Sequence, residues 1–519
     1  MIEFPKTFNL ADYCLDKHIR EGNGQRIAIR CHEDSYTYQD IYYKVNQLGN
    51  ALISLGVKTE QRVGLIMPDL PEFIISWLAI VKIGAVVNTL NPLYPTEDYL
   101  PYFKHLRPTV LIIHDSVVDK LSSVIPEFES IEHVIVVGKK KKGYFGFDEV
   151  IEDASSELTP AQTHRDDPAV ILYSGGTTGF PKMFIHTHAS MGACAECYGK
   201  QVYGIRPNDV VLAVPKLIFT YALGDNFLFP FSVGATSILF PERSTPDRVY
   251  YLIKKHRPTI LINVPTMINA MLANPKAADI DLSFLRFCTT AGEALPVTIY
   301  DRWQDTFGVP LMDGIGMTEM FHIFISNRPD DIKIGSLGRL VPGYEAKIVG
   351  PDGEELPVGE VGAIWVKGPS SALAVWHNHE ASKEIFKGEW TVSADQMRQD
   401  EEGRFWYYGR QDDLLKVAGQ WVAPLEIELC LYRHPAVLEV CVIGANDKAG
   451  LTKPKAVVVL NDGFEASDET TKQLQDFVKE NLTMNKYPRF VDYIDALPRT
   501  ERGKVNRTVV NAEHGSTIQ

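Results

Sequence analysis

A loop of small, hydroxyl-bearing residues followed by a lysine is the part of this sequence best suited to hold a polyphosphate. It reads Ser174-Gly175-Gly176-Thr177-Thr178-Gly179, and Lys182 follows three residues after the last glycine. Glycine lets backbone N–H groups approach a ligand closely, the hydroxyl groups add hydrogen-bond donors, and the lysine adds a positive charge. Donors and a cation around a turn favour a phosphate site. The alternative is a polar surface loop.

The element in front of this loop should hold it in place. Val170-Ile171-Leu172 is a short apolar run that predicts a buried strand, so the loop begins where a strand ends. The loop differs from the nucleotide-kinase pattern G-x-x-x-x-G-K followed by Ser or Thr, because Phe180 and Pro181 separate the glycine from the lysine.

With these residues the stretch resembles the phosphate loop of the adenylate-forming superfamily, which comprises acyl- and aryl-CoA ligases, peptide-synthetase adenylation domains and luciferases. That loop usually ends in G-x-P-K-G, and Met183 stands here in place of its final glycine. The resemblance covers essentially the whole chain, because further motifs follow in the family's order. It implies that the whole loop contacts ATP and that Thr177 and Lys182 have catalytic roles.

Two further segments resemble the family's adenine and magnesium motifs. Ala291-Gly292-Glu293 is similar to the segment that lines the adenine, and Asp313-Gly314-Ile315-Gly316-Met317-Thr318-Glu319 looks like the adenine and magnesium motif. The resemblance implies that Glu319 is catalytic and holds Mg²⁺, while Thr318 contacts the phosphate. A carboxylate suits this task because Mg²⁺ takes oxygen ligands and bridges phosphate oxygens. The other nucleotide contacts that it implies are Gly292, Glu293, Asp313, Gly314 and Ile315.

Asp395 matches the family aspartate that accepts hydrogen bonds from the ribose hydroxyls, and Arg410 matches the arginine that reaches ribose and phosphate. The usual T-G-D is Ser393-Ala394-Asp395 here, so the glycine is missing from a predicted turn.

The last hundred residues resemble the family's small, moving domain. Asp412 matches the hinge, and the segment 416–421 resembles the loop that enters the site for thioester formation, with Lys416, Gly419 and Trp421 as its marked residues. The segment 498–507 resembles P-R-T-x-x-G-K-x-x-R, which makes Lys504 the lysine of adenylation. In that step a carboxylate attacks the α-phosphorus while pyrophosphate leaves. A lysine with a pKa near ~10.4 reduces the repulsion between these anions.

The acyl pocket is expected from two segments that resemble the benzoate–CoA ligase group. Residues 216–226 are similar to K-x-F-F-A-Y-G-L-G-N, and residues 320–324 are similar to M-L-H-I-F. The resemblance implies a flat aromatic pocket, lined by Phe219, Thr220, Tyr221, Gly316, His322 and Ile323. His322 either hydrogen-bonds the carboxylate or a ring substituent, or it is a core histidine.

These segments predict an ATP-dependent aryl-carboxylate–CoA ligase that acts through an acyl-AMP and uses ATP, Mg²⁺ and coenzyme A. Benzoate, a substituted benzoate and a cyclic acid all fit. One alternative is a stand-alone adenylation enzyme that loads a carrier protein. Another is a catalytically silent nucleotide-binding homologue, which the departures at Met183 and Ala394 would favour.

Composition narrows the classes of protein further. The chain has 519 residues and a net charge of −14, which argues against nucleic-acid binding. Seven scattered cysteines favour a reducing compartment, and the lone pair Cys194-x-x-Cys197 is a weak metal signal. Lys82, Gly84 and Asn88 interrupt the most apolar segment, 73–90, whereas a membrane span needs ~20 apolar residues. The N-terminus has no secretory signal, so we expect a cytoplasmic enzyme without a membrane partner.

Alternating strand and helix patterns predict an α/β fold with parallel layers. We expect a large N-terminal domain of layered α/β subdomains over residues 1–411, including a small β-rich lobe over residues 327–366. A small mobile α+β domain should follow over residues 412–519. The oligomeric state is left open.

Overall fold

Two large sheets dominate the first 340 residues. The computed structural model describes residues 2–174, 181–417, 420–448, 450–500 and 504–515. One sheet has eight strands and the other nine, and most neighbouring strands are parallel. The predicted α/β class with parallel layers is therefore confirmed.

The strands of each sheet follow in their spatial order. The eight-stranded sheet consists of Ala374–Val375, Met183–Thr187, Pro168–Tyr173, Val86–Thr89, Arg62–Ile66, Val110–His114, His133–Val137 and Phe145–Gly146. The nine-stranded sheet consists of Arg339–Leu340, Ile323–Ser326, Leu311–Gly316, Phe287–Ala291, Ile260–Asn263, Val210–Ala213, Thr236–Leu239, Ile27–Cys31 and Asp34–Thr37.

Helices alternate with these strands as the sequence pattern predicts. The helix Tyr38–Ser54 begins where it should, because Thr37 Oγ accepts the Asp40 N–H while the Asp40 carboxylate accepts the Thr37 N–H. The α-helices of the described chain are Lys17–Arg20, Tyr38–Ser54, Pro71–Lys82, Thr96–Leu106, Asp115–Leu121, Phe147–Glu152, His188–Cys194, Thr220–Leu223, Phe229–Val233, Pro246–His256, Pro265–Ala273, Val297–Phe307, His379–Ile385, Pro424–Leu431, Asp468–Asn481 and Arg507–His514.

The β-rich lobe is present, but the predicted bounds of 327–366 are wrong. Its five-stranded sheet contains Glu345–Val349, Val361–Lys367, Phe386–Lys387, Trp390–Gln399 and Phe405–Arg410. Residues 327–340 instead extend the nine-stranded sheet. The reason lies in Asn327, whose side chain donates to the backbone oxygens of Asp313 and Ser336 and ties this segment to the strand Leu311–Gly316.

The C-terminal part is a small α+β unit, as predicted. A three-stranded sheet contains Val437–Asn446, Thr452–Leu460 and Phe490–Tyr493, and a hairpin of Leu415–Val417 and Gln420–Val422 packs beside it. The boundary at residue 412 and the mobility of this unit remain predictions.

No helix in the described ranges is long and apolar enough to cross a membrane.

Cys194 and Cys197 lie buried in consecutive helical segments, and Cys194 Sγ lies 3.6 Å from the Tyr344 hydroxyl. Across the described chain, no three His, Cys, Asp or Glu side chains are grouped so that they could hold a metal ion.

The parallel order of the nine-stranded sheet determines which loops can meet. Ile260–Asn263, Phe287–Ala291 and Leu311–Gly316 are consecutive neighbours, so the segments that follow them lie at one edge. Ligands of open α/β sheets bind at this carboxyl edge.

Candidate active site

The stem of the predicted phosphate loop is formed by two antiparallel strands of the eight-stranded sheet. Pro168–Tyr173 pairs with Met183–Thr187, and the Ser174 N–H donates to the Lys182 carbonyl at 2.9 Å. Lys182 is exposed. Gly175, Gly176, Thr177, Thr178 and Gly179 lie outside the described residues, so their contacts with ATP remain predictions.

Met183 does not project into the loop that it follows. It is the first residue of a strand, its exposed fraction is 3%, and it packs in an apolar cluster that includes Ile66, Tyr99 and Ile171. The core therefore accommodates this departure from the family's glycine, which removes one reason to expect an inactive protein.

Three charged side chains, Asp395, Lys182 and Arg410, act electrostatically on Glu319. Burial raises the pKa of the Glu319 carboxyl, the negative charge of Asp395 raises it further, and the positive charges of Lys182 and Arg410 oppose that rise. The short helical turn Thr318–Met320 carries Glu319, and the neutral His186 ring donates from Nε2 to the Thr318 carbonyl at 2.7 Å. Burial lowers the pKa of His186 to about 4, which keeps the ring neutral. The acidic side chains Glu319 and Asp395 and the basic side chains Lys182 and Arg410 act on one another here, as a site for phosphate and a metal ion requires.

Asp395 is held in a strand, not in the turn that the T-G-D pattern predicts. Ala394 lies inside the strand Trp390–Gln399, so no glycine conformation is needed there. One oxygen of the Asp395 carboxylate accepts from the Ser393 hydroxyl at 2.7 Å, and the other accepts from the Tyr407 hydroxyl at 3.1 Å. Arg410 lies opposite Asp395 on the neighbouring strand. Ala394 therefore meets no backbone conflict in this strand, and the contact of Asp395 with the ribose hydroxyls remains a prediction.

Lys504 lies beside the segment that the resemblance predicts to line the adenine. Gly292 has a φ of +88°, and a Cβ placed on it would come within 3.6 Å of Lys504 Cε and 3.7 Å of Nζ. The Glu293 carboxylate accepts from the Thr266 hydroxyl at 2.7 Å and from the Thr266 N–H at 3.3 Å. The structure therefore joins the predicted catalytic lysine to the predicted nucleotide segment, although they are 212 residues apart in sequence.

The glycines of the segment 313–319 permit close packing. A Cβ on Gly314 would lie 2.9 Å from the Ile325 carbonyl oxygen, and one on Gly316 would lie 2.6 Å from the backbone of His322. The Asp313 carboxylate accepts the Gly314 N–H, and burial raises the pKa of Asp313 to about 8. Ile315 is half-buried and packs against the central core.

The predicted acyl-pocket residues fall into two groups. Phe219, Thr220 and Tyr221 are half-buried and Gly316 is exposed, so these four present surface to a ligand. Ile323 is buried, and so is His322. The Tyr221 hydroxyl lies 3.3 Å from Thr289 Oγ.

His322 supports the pocket from behind. Its side chain is fully buried, and Nε2 donates to the Tyr221 carbonyl at 3.0 Å. Burial lowers the pKa of His322 to about 4, so the ring is neutral at pH 7. Its surroundings match a core histidine, and direct contact with the substrate remains a prediction.

The predicted hinge and thioester loop lie on the surface. Asp412 is exposed in the short turn Gln411–Asp413. Lys416 and Trp421 face each other across the hairpin, and the exposed fraction of Trp421 is 64%. Gly419 lies outside the described residues. The hairpin thus faces solvent while Lys504 lies at the nucleotide segment.

Sequence reasoning missed three residues that support this site: Tyr407, His186 and Thr266. Tyr407 could have been found from the strand pairing, because its strand lies opposite that of Asp395. The other two act through contacts between distant segments, and no local pattern marks them.

The chain was compared with known protein families and structures. The family described as AMP-binding enzyme matches residues 15–376, and the one described as AMP-binding enzyme C-terminal domain matches residues 426–504. The chain is 38% identical to the benzoate–CoA ligase of Thauera aromatica over 98% of this chain and 96% of that protein. It is 35% identical to a 4-hydroxybenzoate–CoA/benzoate–CoA ligase of Rhodopseudomonas palustris over 97% and 93%, respectively.

Two solved structures are similar over nearly the full length. The anthranilate CoA ligase AuaEII in complex with anthranoyl-AMP has a TM-score of 0.94 and 38% identity, and the match covers 98% of both chains. A benzoate CoA ligase from Burkholderia xenovorans LB400 has a TM-score of 0.89 and 38% identity, and the match covers 97% of this chain and 99% of that one.

Proposed function

The chain belongs to the AMP-binding enzyme family, and from this premise we propose that it joins a small aromatic carboxylic acid to coenzyme A through an acyl-AMP. The resemblance predicted from the motifs is confirmed, and so is the enzyme class, an AMP-forming acid–thiol ligase. One observation carries the proposal: Lys504 lies beside Gly292, and the strand before Gly292 pairs with the strand that leads to the Glu319 turn.

The nucleotide site supports ATP as the substrate that activates the acid. Asp395 would accept hydrogen bonds from the ribose hydroxyls, while Lys182 and Arg410 would balance the phosphate charge. Glu319 supplies one carboxylate there, and the negative charge of Asp395 also acts on it. That set fits Mg²⁺, which usually binds through one or two carboxylates together with substrate phosphates. Bound there, Mg²⁺ would neutralise the charge of the phosphate oxygens.

The acid would lie against Phe219, Thr220 and Tyr221, close to Gly316. Two half-buried rings and a β-branched side chain form an apolar wall with few polar groups, which is typical of a small-molecule pocket. The hydrogen bond between the Tyr221 and Thr289 hydroxyls holds one ring of this wall, and His322 holds the Tyr221 backbone carbonyl. A planar ring acid matches such a wall better than a flexible chain.

Two steps would follow. A carboxylate oxygen of the acid attacks the α-phosphorus of ATP and pyrophosphate leaves, with Lys504 stabilising the added negative charge. The thiolate of coenzyme A then attacks the acyl carbon, and AMP leaves. Activating the acid first makes it a better electrophile for the thiol.

The test is a panel of acids with ATP and MgCl₂, in which AMP release is measured with and without coenzyme A. The panel contains benzoate, 2-aminobenzoate, 3- and 4-hydroxybenzoate, cyclohexanecarboxylate, acetate and hexanoate. We expect the highest kcat/KM for a ring acid, with AMP release that depends on coenzyme A. Higher values for acetate or hexanoate would refute the aromatic substrate, and acyl-AMP formation that coenzyme A cannot consume would favour a carrier protein as acceptor.

A further inference from the structure

Arg499 connects the two parts of the chain next to Lys504. Its guanidinium donates from Nη1 to the Thr266 hydroxyl at 3.3 Å, and from Nη2 it pairs with the Glu439 carboxylate on the strand Val437–Asn446. Thr266 lies in the N-terminal part of the chain, in the first turn of the helix Pro265–Ala273. One side chain thus spans the surface between the two parts.

The Thr266 hydroxyl continues this chain of hydrogen bonds into the nucleotide site. It accepts from Arg499 and donates to the Glu293 carboxylate at 2.7 Å, and Glu293 follows Gly292 directly. Thr266 and Glu293 meet because their segments leave neighbouring parallel strands at the same edge. The Arg499 side chain is therefore linked through one hydroxyl to the segment over which Lys504 lies.

Within the C-terminal part, backbone hydrogen bonds tie the segment of Arg499 to the segment of Lys504. Arg499 forms an antiparallel bridge with Val505, the Thr500 N–H donates to the Lys504 carbonyl at 2.7 Å, and the Asn506 N–H donates to the Pro498 carbonyl at 2.8 Å. A displacement of Arg499 from Thr266 must therefore move Lys504 relative to Gly292.

We propose that the contact Glu293–Thr266–Arg499–Glu439 is the docking contact that places Lys504 for adenylation, with Arg499 as a positioning residue. This inference rests on the proposed function, in which Lys504 acts only in the first step. Loss of the contact should slow adenylation and leave thioester formation intact. Arg499 itself touches neither reacting atom in this role.

The kinetic test uses Thr266→Val, which removes the hydroxyl at nearly constant volume, together with Arg499→Gln, Arg499→Lys and the double variant Thr266→Val/Arg499→Gln. Adenylation is measured as acid-dependent exchange of pyrophosphate into ATP. Thioester formation is measured in a single turnover of supplied benzoyl-AMP with coenzyme A. Arg302→Gln is the matched control, since this exposed arginine donates to Asn269 on the same helix as Thr266 but is not a member of the contact.

We expect Thr266→Val and Arg499→Gln each to lower adenylation about tenfold, the scale of one hydrogen bond to a charged group. Thioester formation should stay within about twofold, since the contact is absent from that step. The double variant should be little worse than either single variant, because both remove the same contact. Arg499→Lys should restore part of the rate. Equal losses in both half-reactions, or losses that multiply in the double variant, would overturn the proposal.

A distance measurement tests the contact without any substrate. All seven cysteines are buried, so spin labels on Asp301→Cys and Glu480→Cys, both exposed positions, would report the separation of the two parts. We expect one dominant distance in the otherwise unmodified protein and a broader or second distance with Thr266→Val. An unchanged distribution would refute the docking contact, whereas failure of every acid in the panel would refute only the proposed function.

Discussion

Replacement of Lys504 by alanine should separate the two half-reactions. A Cβ placed on Gly292 would lie 3.7 Å from Lys504 Nζ, so the charge of Lys504 acts at the predicted nucleotide segment. Two unit charges about 4 Å apart interact by about 4 kcal/mol at an effective dielectric constant near 20. Removal of one preorganised group that stabilises developing charge costs about 2.7–4 kcal/mol, or roughly 10²- to 10³-fold in rate. We therefore expect Lys504→Ala to slow adenylation by that factor.

The assay is exchange of pyrophosphate into ATP with the best acid of the panel, beside single-turnover thioester formation from supplied acyl-AMP. Lys504→Ala should leave the second reaction within about threefold, since the charge serves only the attack on phosphorus. Lys486→Ala is the matched control in the same part of the chain, because this lysine pairs with Glu426 and not with the nucleotide segment. If Lys504→Ala slows both half-reactions equally, the separation of roles is refuted.

Three further predictions concern the hinge, the pocket and the core. Asp412→Pro should preserve adenylation and abolish turnover of coenzyme A, because Asp412 lies in the turn Gln411–Asp413 and proline fixes φ there. Undiminished turnover in a coupled AMP assay would place the hinge elsewhere. Thr220→Ala should raise kcat/KM for ring-substituted benzoates relative to benzoate by about tenfold, which is the scale of a methyl-sized change in a pocket. If this ratio of kcat/KM values is the same, within error, as in the unmodified protein, Thr220 does not form the pocket wall. Asp16→Ala should destabilise the protein by about 3–5 kcal/mol, because it leaves the buried Lys82 ammonium without its partner at 2.6 Å. Asp16→Ala/Lys82→Met should recover part of that loss, and a urea midpoint no higher than that of Asp16→Ala would contradict this reasoning.

Local signals predicted most of the elements and some of their ends. The helix Tyr38–Ser54 begins after the Thr37 cap, and the hydrophobic runs at Arg62–Ile66 and His133–Val137 form strands. The lobe was misplaced because residues 327–340 carry the same Gly- and Pro-rich pattern as a small sheet. Long-range contacts assign them to the larger one: the Asn327 side chain bonds Asp313, and Arg339–Leu340 pairs with Ile323–Ser326.

The two departures from the family pattern show that a motif does not specify where each of its residues lies in a strand. Met183 and Ala394 both replace glycine, and the residue types alone predict a disturbed phosphate loop at Met183 and a disturbed turn at Ala394. In the structure each lies within a strand, where Met183 fills the core and Ala394 leaves Asp395 in place. Which face a residue presents depends on strand register, and register follows from pairing with partners far along the chain.

The placement of the C-terminal elements explains why the two half-reactions should need two arrangements. The hairpin residues Val417 and Val422 pack against Val440 and Val442, on one face of the three-stranded sheet. Residues beside Lys504, including Val505, pack against the cluster that contains Cys441 and Ile443. Successive side chains of a strand point to opposite faces, so the hairpin and the Lys504 loop lie on opposite sides of one sheet. A rigid unit of this kind cannot present both to the same nucleotide segment. We therefore expect the hairpin, with Trp421 in solvent, to reach the acyl-AMP only after the whole unit turns, a turn that would first break the contact between Arg499 and Thr266.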